Sequence, residues 1–492
     1  MQFNGKNAGL TGDQHGLSDW PMTISTDRVP LHIKLFHGIG SIAYGVKDNG
    51  FSTFLLLFYN QVIGLDARLV SLALMLALFV DAFADPIIGH LSDRTYTKWG
   101  KRLPWLYIAP IPLGLAWILL WAAPASLGGW IFAYLLVIAI MVPSASLIPE
   151  LTRDYDERTV IMRYRYLFGW AGGLAMLFLG YIVFLVADAD HAVGLLNENG
   201  YWNYGLVGGA VIAIATLVSA RGQHKRVAHW PDKRPKKTSV RESFAEIREA
   251  LSHRAAVILF AAGAIAYINQ GVTFTISNYL YLYVWEFSQT AFFYYPILLF
   301  ASVVGSFFLV SPLTKAFGKR PVAIVGGLVG MIFWVIPFAL NLSGAWPAVG
   351  GTASTTLVFG FTFLATTGSV VTMITAQSMV TDIVEASELE TGRRTEGVFS
   401  AGWFFVQKCG TGLGIFAAGL IVSLSGLPDK AQPGEVALSV IENLMLFYAV
   451  MIFILAVSGA WIFSRFPINR ADHDARVAAL AAAKAAVHTT DR

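Results

Sequence analysis

Two aspartates, Asp81 and Asp85, stand four residues apart in FVDAFADPIIGHLSDRT, a run beginning at Phe79 that is otherwise apolar through Gly89. Four residues is about one helical turn, so both carboxyl groups share one helix face. A charged carboxylate inside a membrane costs at least about 2.5–3.5 kcal/mol. It persists there only if paired, hydrated, protonated or bound to a cation. Two such groups one turn apart repel as anions, which favours a proton between them or a cation held by their oxygens. The pair therefore suits proton or Na+ binding; the alternative is a structural pair neutralised by a nearby Lys or Arg. Pro86 follows directly and removes a backbone hydrogen bond, a local kink that opens space beside the carboxylates.

Cations stand in comparable surroundings. Lys47 and Asp48 interrupt IAYGVKDNGFS, Lys408 interrupts FFVQKCGTG, and Arg165 opens RYRYLFGWAGG. Arg165 is either an interior cation or a snorkelling residue at a helix end, whereas Lys47 and Lys408 are flanked by apolar residues on both sides. Intramembrane ionisable residues are functional-site candidates by default. Asp48, Asp81 and Asp85 balance Lys47, Arg165 and Lys408. Such a near-neutral cluster can rearrange when one further cation arrives.

The elements that must hold these residues are membrane helices. The chain has 492 residues, 55% hydrophobic and 13% charged, with mean hydropathy +0.59; a soluble domain carries about 25% charged residues. Apolar stretches of helix length fall near 35–62, 68–91, 104–124, 129–149, 166–187 and 203–220, then near 255–285, 292–313, 321–341, 352–380, 397–424 and 441–464. They lack the residue-by-residue alternation of a membrane β-barrel. The expected fold is an all-α membrane protein with twelve transmembrane helices in two six-helix halves. Residues 1–33 form an N-terminal tail, 34–220 the first half, 221–253 a polar, basic linker, 254–465 the second half and 466–492 a C-terminal tail.

Lys and Arg gather after spans 2, 4, 6, 8 and 10, while the loop after span 5 is acidic, with Asp188, Asp190 and Glu198. Both termini are therefore expected on the cytoplasmic side of a plasma membrane, which is the inner membrane if the source cell is Gram-negative. The first 30 residues contain Asp13, Asp19 and Asp27 and no apolar core, so no cleaved signal peptide is expected. The single cysteine, Cys409, excludes an internal disulfide and reads as a small apolar packing residue.

The halves echo each other. GHLSDRTYTKWGKRLPWLYI joins spans 2 and 3, and SPLTKAFGKRPVAIVG joins spans 8 and 9; both pass through Gly-Lys-Arg and a nearby proline into a new span. Two six-helix repeats with this loop resemble the major facilitator superfamily, which implies a substrate site near mid-membrane between the halves. DAFADPIIGHLSDRTYTKWGKRLPW, YGVKDNG, PSASLIPELTRDYDERT and MVTDIVEASELETGRRTEGVFSAGWFFVQKCGTG resemble, in that family's order, segments of the glycoside–pentoside–hexuronide:cation symporters, the melibiose permease group. The resemblance covers roughly residues 33–465. It implies that Asp81 and Asp85 are the cation-site carboxylates and that Asp48 accepts from sugar hydroxyls. It further implies that Arg165 lies beside the sugar, that Lys408 links the two sites, and that Lys47 is a polar neighbour in the pocket.

Departures from the family pattern narrow this. Ala84 and Ile138 replace an asparagine and a threonine that assist Na+, so H+ is the expected coupling ion. Met141 and Ala145 replace a sugar-binding aspartate and an aromatic, and Trp403 replaces a glutamine, so galactosides are not expected substrates. Trp403 either stacks on a sugar or packs between helices, and Gln377 and Asn278 are either pocket contacts or interhelical hydrogen-bonders. A cytoplasmic gate is expected from Asp93, Arg94, Lys101 and Arg102 in one half and from Asp382 and Arg394 in the other.

Enzyme readings lack parts. There is no Gly-x-x-x-x-Gly-Lys-Ser/Thr loop and no Cys/His metal spacing, and His37 and His90 stand without sequence partners. The expectation is no enzyme and no cofactor, a monomer in the bilayer that binds no nucleic acid. It takes up a small-molecule sugar or glycoside with H+ or Na+ by alternating access; the alternative is an amphipathic or lipid-like solute carried on the same fold.

Overall fold

A computed structural model of the chain describes residues 29–100, 103–124, 126, 131–141, 155–228, 254–391 and 396–467. Helix α1 (Leu31–Thr53) continues through Leu55–Leu57 into a π-helical turn, Phe58–Ile63. Then come α2 (Ala67–Arg94), α3 (Leu103–Ile108 and Pro110–Leu120) and α4 (Ile131–Met141). Helix α5 (Tyr155–Leu179) ends in a π turn, Gly180–Phe184, and α6 is Glu198–Val227. In the second half, α7 (Arg254–Tyr279) also closes on a π turn, Leu280–Val284. It is followed by α8 (Gln289–Phe317), α9 (Lys319–Leu342), α10 (Thr352–Thr391), α11 (Glu396–Ser425) and α12 (Leu438–Phe463). Among the described residues nine helices are long and apolar enough to cross a membrane, and the only β pairing is an isolated bridge between Thr97 and Gly100.

Packing repeats with a shift of six helices. In the first half α1 packs on α5 and α6, α2 on α4, and α3 on α6. In the second, α7 packs on α11 and α12, α8 on α10, and α9 on α12. Across the seam α2 runs along α11, α5 meets α8, and α1 meets α7. Close approach of α2 and α11 requires a small residue: a Cβ on Gly419 would collide with the Ser71 side chain.

The Gly-Lys-Arg echo has a backbone cause. Gly100 and Gly318 both take positive φ, +86° and +84°, a region a side chain disfavours. In the second half the next residues are anchored: Lys319 Nζ lies 2.5 Å from Asp382 Oδ1, and Arg320 donates to the Ser464 and Phe466 carbonyls at the end of α12.

The sixth helix runs beyond residue 220, where the sequence suggested it would stop. Val227 is buried with Ile33, Leu103 and Leu106, and Tyr107 OH meets His224 Nδ1 at 3.1 Å. Apolar burial and this bond carry α6 past the membrane-length segment. The end of the bundle bearing Val29 and Phe466 is its proximal end, and the opposite end is distal. Distally, Phe54 sets its edge against Tyr181 and Tyr204 at 5.2 and 5.4 Å, and Trp121 stacks on Tyr201 at 5.7 Å. Such aromatic pairs add about 0.5–1.5 kcal/mol each beyond burial.

Candidate functional site

Helices α1, α2 and α11 bring four of the predicted charges together. Lys47 Nζ on α1 lies 3.3 Å from Asp81 Oδ2 on α2. Lys408 Nζ on α11 lies 3.0 Å from the same oxygen and 2.6 Å from Asp85 Oδ2. The one-turn spacing of the aspartates lets a single ammonium bridge both. Two carboxylates thus face two ammoniums, one from each half, and the cluster straddles the seam. Such buried pairs survive desolvation only with close geometry.

Asp48 and Arg165 are held differently. Asp48 is within the fields of Lys47, Lys408 and Asp81, yet makes no hydrogen bond or ion pair among the described residues. Arg165 on α5 is within the fields of Asp85, Tyr44 and Tyr166 and is likewise uncommitted among the described residues. Tyr44, one turn before Asp48, and Tyr166 are 39% and 41% exposed. Tyr267 on α7 is in electrostatic reach of both Asp48 and Tyr166. An acceptor, a five-donor fork and tyrosines beside a satisfied ion cluster are the polar parts of a small-molecule pocket.

The other candidates lie elsewhere. Trp403 is 1% exposed, seated over Gly263 with its ring centroid 5.6 Å from Tyr267 and 6.3 Å from Phe260. Of the two readings open for it, these contacts describe packing between α7 and α11. Asn278 Nδ2 donates to the Thr53 carbonyl at 3.0 Å and its Oδ1 accepts from Tyr181 OH at 2.7 Å, so its amide ties the halves together. Gln377 is partly buried on α10 and makes no hydrogen bond among the described residues. Asp93 and Arg94 fall on the last turn of α2; Lys101, Arg102 and Arg394 lie outside the described residues, as does Ala145. Asp382 pairs with Lys319 inside the second half. Ile138 on α4 is buried and offers no side-chain oxygen.

Sequence reasoning missed a distal latch. Gln61 Nε2 donates to Asn60 Oδ1 at 2.6 Å and to the Pro428 carbonyl at 3.1 Å. Its Oε1 accepts from Tyr283 OH at 3.1 Å and from Ala431 N at 2.8 Å. Asn60 also donates to Asp429 Oδ1 at 2.6 Å and accepts from Tyr279 OH at 3.1 Å. The π turns of α1 and α7 carry Gln61 and Tyr283, and the loop between α11 and α12 straps across both. Thr275 Oγ1 to the Ser52 carbonyl (2.9 Å) and Gln289 Nε2 to the Tyr181 carbonyl (2.6 Å) extend the seal. The available signal was a pair of amides, YNQ, near the end of span 1 opposite a tyrosine run, YLYLYVW, near the end of span 7.

Two pseudo-symmetric six-helix halves sealed at one end, with a charged cluster on their seam, define a membrane transporter of the major facilitator fold. The chain belongs to the MFS/sugar transport protein family, whose model matches residues 36–470, and the resemblance to glycoside–pentoside–hexuronide symporters stands with it. It is 25% identical to the isoprimeverose transporter of Lactiplantibacillus pentosus, over 85% of each chain. It is 24% identical to the glucuronide carrier protein homolog of Escherichia coli, over 83% of this chain and 87% of that one. Among solved structures, a bacterial homologue of the human lysosomal transporter Spinster, inward-facing and unoccupied, superposes with TM-score 0.64 over 88% of this chain and 95% of that one, at 16% identity. The chain is therefore a multi-pass membrane transporter rather than an enzyme.

Proposed function

We propose that the protein imports a sugar or glycoside by cation-coupled symport with alternating access, H+ being the coupling ion. The observation that carries this reading is the division of labour among the charges: Lys47 and Lys408 satisfy Asp81 and Asp85, while Asp48 and Arg165 remain uncommitted among the described residues. The satisfied set is an ion switch and the uncommitted set a solute site.

A proton arriving on Asp85 removes one of the two carboxylate charges that hold Lys408 on α2, leaving Asp81 as its remaining partner. That loosens the seam at the cluster while Asp48 takes hydroxyl hydrogens of the sugar and Arg165 donates to its oxygens. Na+ would have to displace an ammonium already in place, and the buried Ile138 gives it no further oxygen; both features favour H+. Tyr44, Tyr166 and Tyr267 supply apolar faces for a sugar ring. The basic proximal loops face the cytoplasm in this reading, so the sealed distal latch is the outer gate and the gate residues Asp93, Arg94, Lys101, Arg102, Asp382 and Arg394 act at the inner one. The protein works as a monomer in the plasma membrane.

The test is uptake into proteoliposomes under an imposed pH gradient or an imposed Na+ gradient, with isoprimeverose and methyl glucuronide as first solutes. Accumulation driven by the pH gradient alone supports the reading, and accumulation that requires Na+ overturns the choice of ion. If neither sugar nor any glycoside exchanges by counterflow while a lysolipid does, the solute class is wrong.

A further inference from the structure

Two seams related by the six-helix shift, α2 with α11 and α8 with α5, close differently on the distal side. Where α2 meets α11, a Cβ on Gly419 would collide with the Ser71 side chain and the Ala67 carbonyl, so the two backbones all but touch. Where α5 meets α8, side chains hold the backbones apart. Phe178 and Phe293 have ring centroids 5.5 Å apart, and Tyr181 and Phe292 5.1 Å apart. Gln289 Nε2 donates across the gap to the Tyr181 carbonyl at 2.6 Å. This spacing leaves a cavity of about 290 Å3, lined by Ile182 and Val186 at the end of α5 and by Gln289, Thr290, Phe293 and Tyr294 at the start of α8.

Depth and chemistry identify the occupant. The apolar span of α5 ends at Phe184 and that of α8 begins at Gln289, so the cavity lies where hydrocarbon gives way to the headgroup layer. Phe293 and Tyr294 are 39% and 53% exposed, which opens it to the bilayer. Ile182, Val186 and Phe293 make an apolar wall, and Gln289, Thr290 and Tyr294 a polar rim. Among the described residues the Thr290 and Tyr294 hydroxyls make no hydrogen bond, and Gln289 Oε1 accepts none. The rim thus offers two hydroxyl donors and an amide acceptor. No charged side chain lines the cavity, so nothing in it selects an anion.

We propose that this cavity binds a zwitterionic phospholipid of the distal leaflet and that the lipid holds the distal gate shut. An acyl chain lies against Ile182, Val186 and Phe293. The Thr290 and Tyr294 hydroxyls donate to ester or phosphate oxygens, and Gln289 Oε1 accepts from an ammonium headgroup. Both halves supply the lining, so the cavity exists only while α5 and α8 stay together distally. A ligand that binds one of two states shifts the equilibrium toward that state by a factor of 1 + [L]/Kd. The lipid is therefore a brake on distal opening, and it acts without the solute, the ion cluster, Asp48 or Arg165.

Two measurements test this, and neither uses a sugar. Full-length protein is first exposed to a phosphatidylcholine carrying a diazirine in its acyl chain, and the photolabel is mapped by mass spectrometry. Label on residues 182–186 or 289–294 that Ile182→Trp abolishes supports the proposal; Val186→Trp serves if Ile182→Trp does not fold. Label that avoids both segments, or that survives the filled cavity, overturns it. The second readout is distal opening. A Cys409→Ala, Ser52→Cys background is reconstituted in phosphatidylcholine or phosphatidylglycerol liposomes and labelled from outside with an uncharged impermeant maleimide. Ser52 is buried and its carbonyl accepts from Thr275 across the seam. Labelling should be several-fold slower in phosphatidylcholine. Ile182→Trp should erase that difference, and Thr290→Val with Tyr294→Phe should shrink it. Equal rates in the two lipids, or a difference that persists in the filled cavity, would overturn the brake whatever solute the protein carries.

Discussion

Lys408 on α11 reaches across the seam to Asp85 on α2, its Nζ 2.6 Å from Oδ2, and the same ammonium stands 3.0 Å from Asp81. A residue of one half thus neutralises a carboxylate of the other. Whatever changes the charge of Asp85 changes the adhesion between the halves at that point.

The first prediction concerns this bond. Asp85→Asn keeps a hydrogen-bonding group but no titratable charge, so solute counterflow across proteoliposomes should persist while pH-driven accumulation disappears. Lys408→Ala leaves two carboxylates facing Lys47 alone. Losing one partner of a buried pair costs about 3–5 kcal/mol, and since Asp85 is 25% exposed the loss here should fall at or below the lower end, read as a drop in thermal midpoint. Full accumulation by Asp85→Asn would remove it from the ion route.

Asp48→Asn and Arg165→Gln test the solute site. Hydrogen bonds to charged groups contribute about 1.5–3 kcal/mol, so each change should weaken sugar binding roughly 10- to 100-fold without altering the pH dependence of the stability of the Lys408–Asp85 pair. Titration calorimetry with the best-binding glycoside separates the two effects. Unchanged affinity in both variants would place the sugar elsewhere.

The distal latch yields a third. Gln61→Leu keeps bulk and removes the four bonds made by the Gln61 amide. At about 1 kcal/mol net per bond, the equilibrium should shift by about 2–4 kcal/mol toward a distally open form. Cys409 is the only native cysteine, so a Cys409→Ala, Ser52→Cys background reports opening by labelling with an impermeant maleimide added from outside. The Gln61→Leu variant should label at least tenfold faster; equal rates would mean that the latch does not limit opening.

At the other end, Lys319 and Asp382 join the first turn of α9 to α10, 2.5 Å apart with Lys319 partly exposed. Lys319→Ala should slow turnover more than it weakens sugar binding, because the pair lies away from Asp48 and Arg165. An initial-rate analysis that found only a raised KM would contradict this.

The helices, their number and the charged candidates were legible because membrane burial makes both apolar length and each stray charge expensive. The four-residue spacing of Asp81 and Asp85 is enough to put them on one helix face. Their counter-ion was a different matter. Lys408 is 323 residues from Asp85, and no local pattern names a partner at that distance. The latch was missed because Asn60 and Gln61 look like ordinary polar residues at a span end. Their meeting with Tyr279 and Tyr283 depends on π turns, whose i→i+5 bonding has no hydropathy period. For Trp403 and Asn278 the sequence leaves a pocket role and a packing role both open, and only three-dimensional packing shows what each touches.

The balance of three acids against three bases in the membrane interior has an electrical consequence. A carrier whose mobile charges cancel crosses empty without working against the membrane voltage, whereas the same carrier bearing one extra proton moves one net charge, worth about 2.3 kcal/mol per 100 mV. If the proposed H+ symport holds, the interior-negative potential of a cell accelerates the loaded inward step and leaves the empty return unaffected, and the membrane voltage itself then drives the cycle inward.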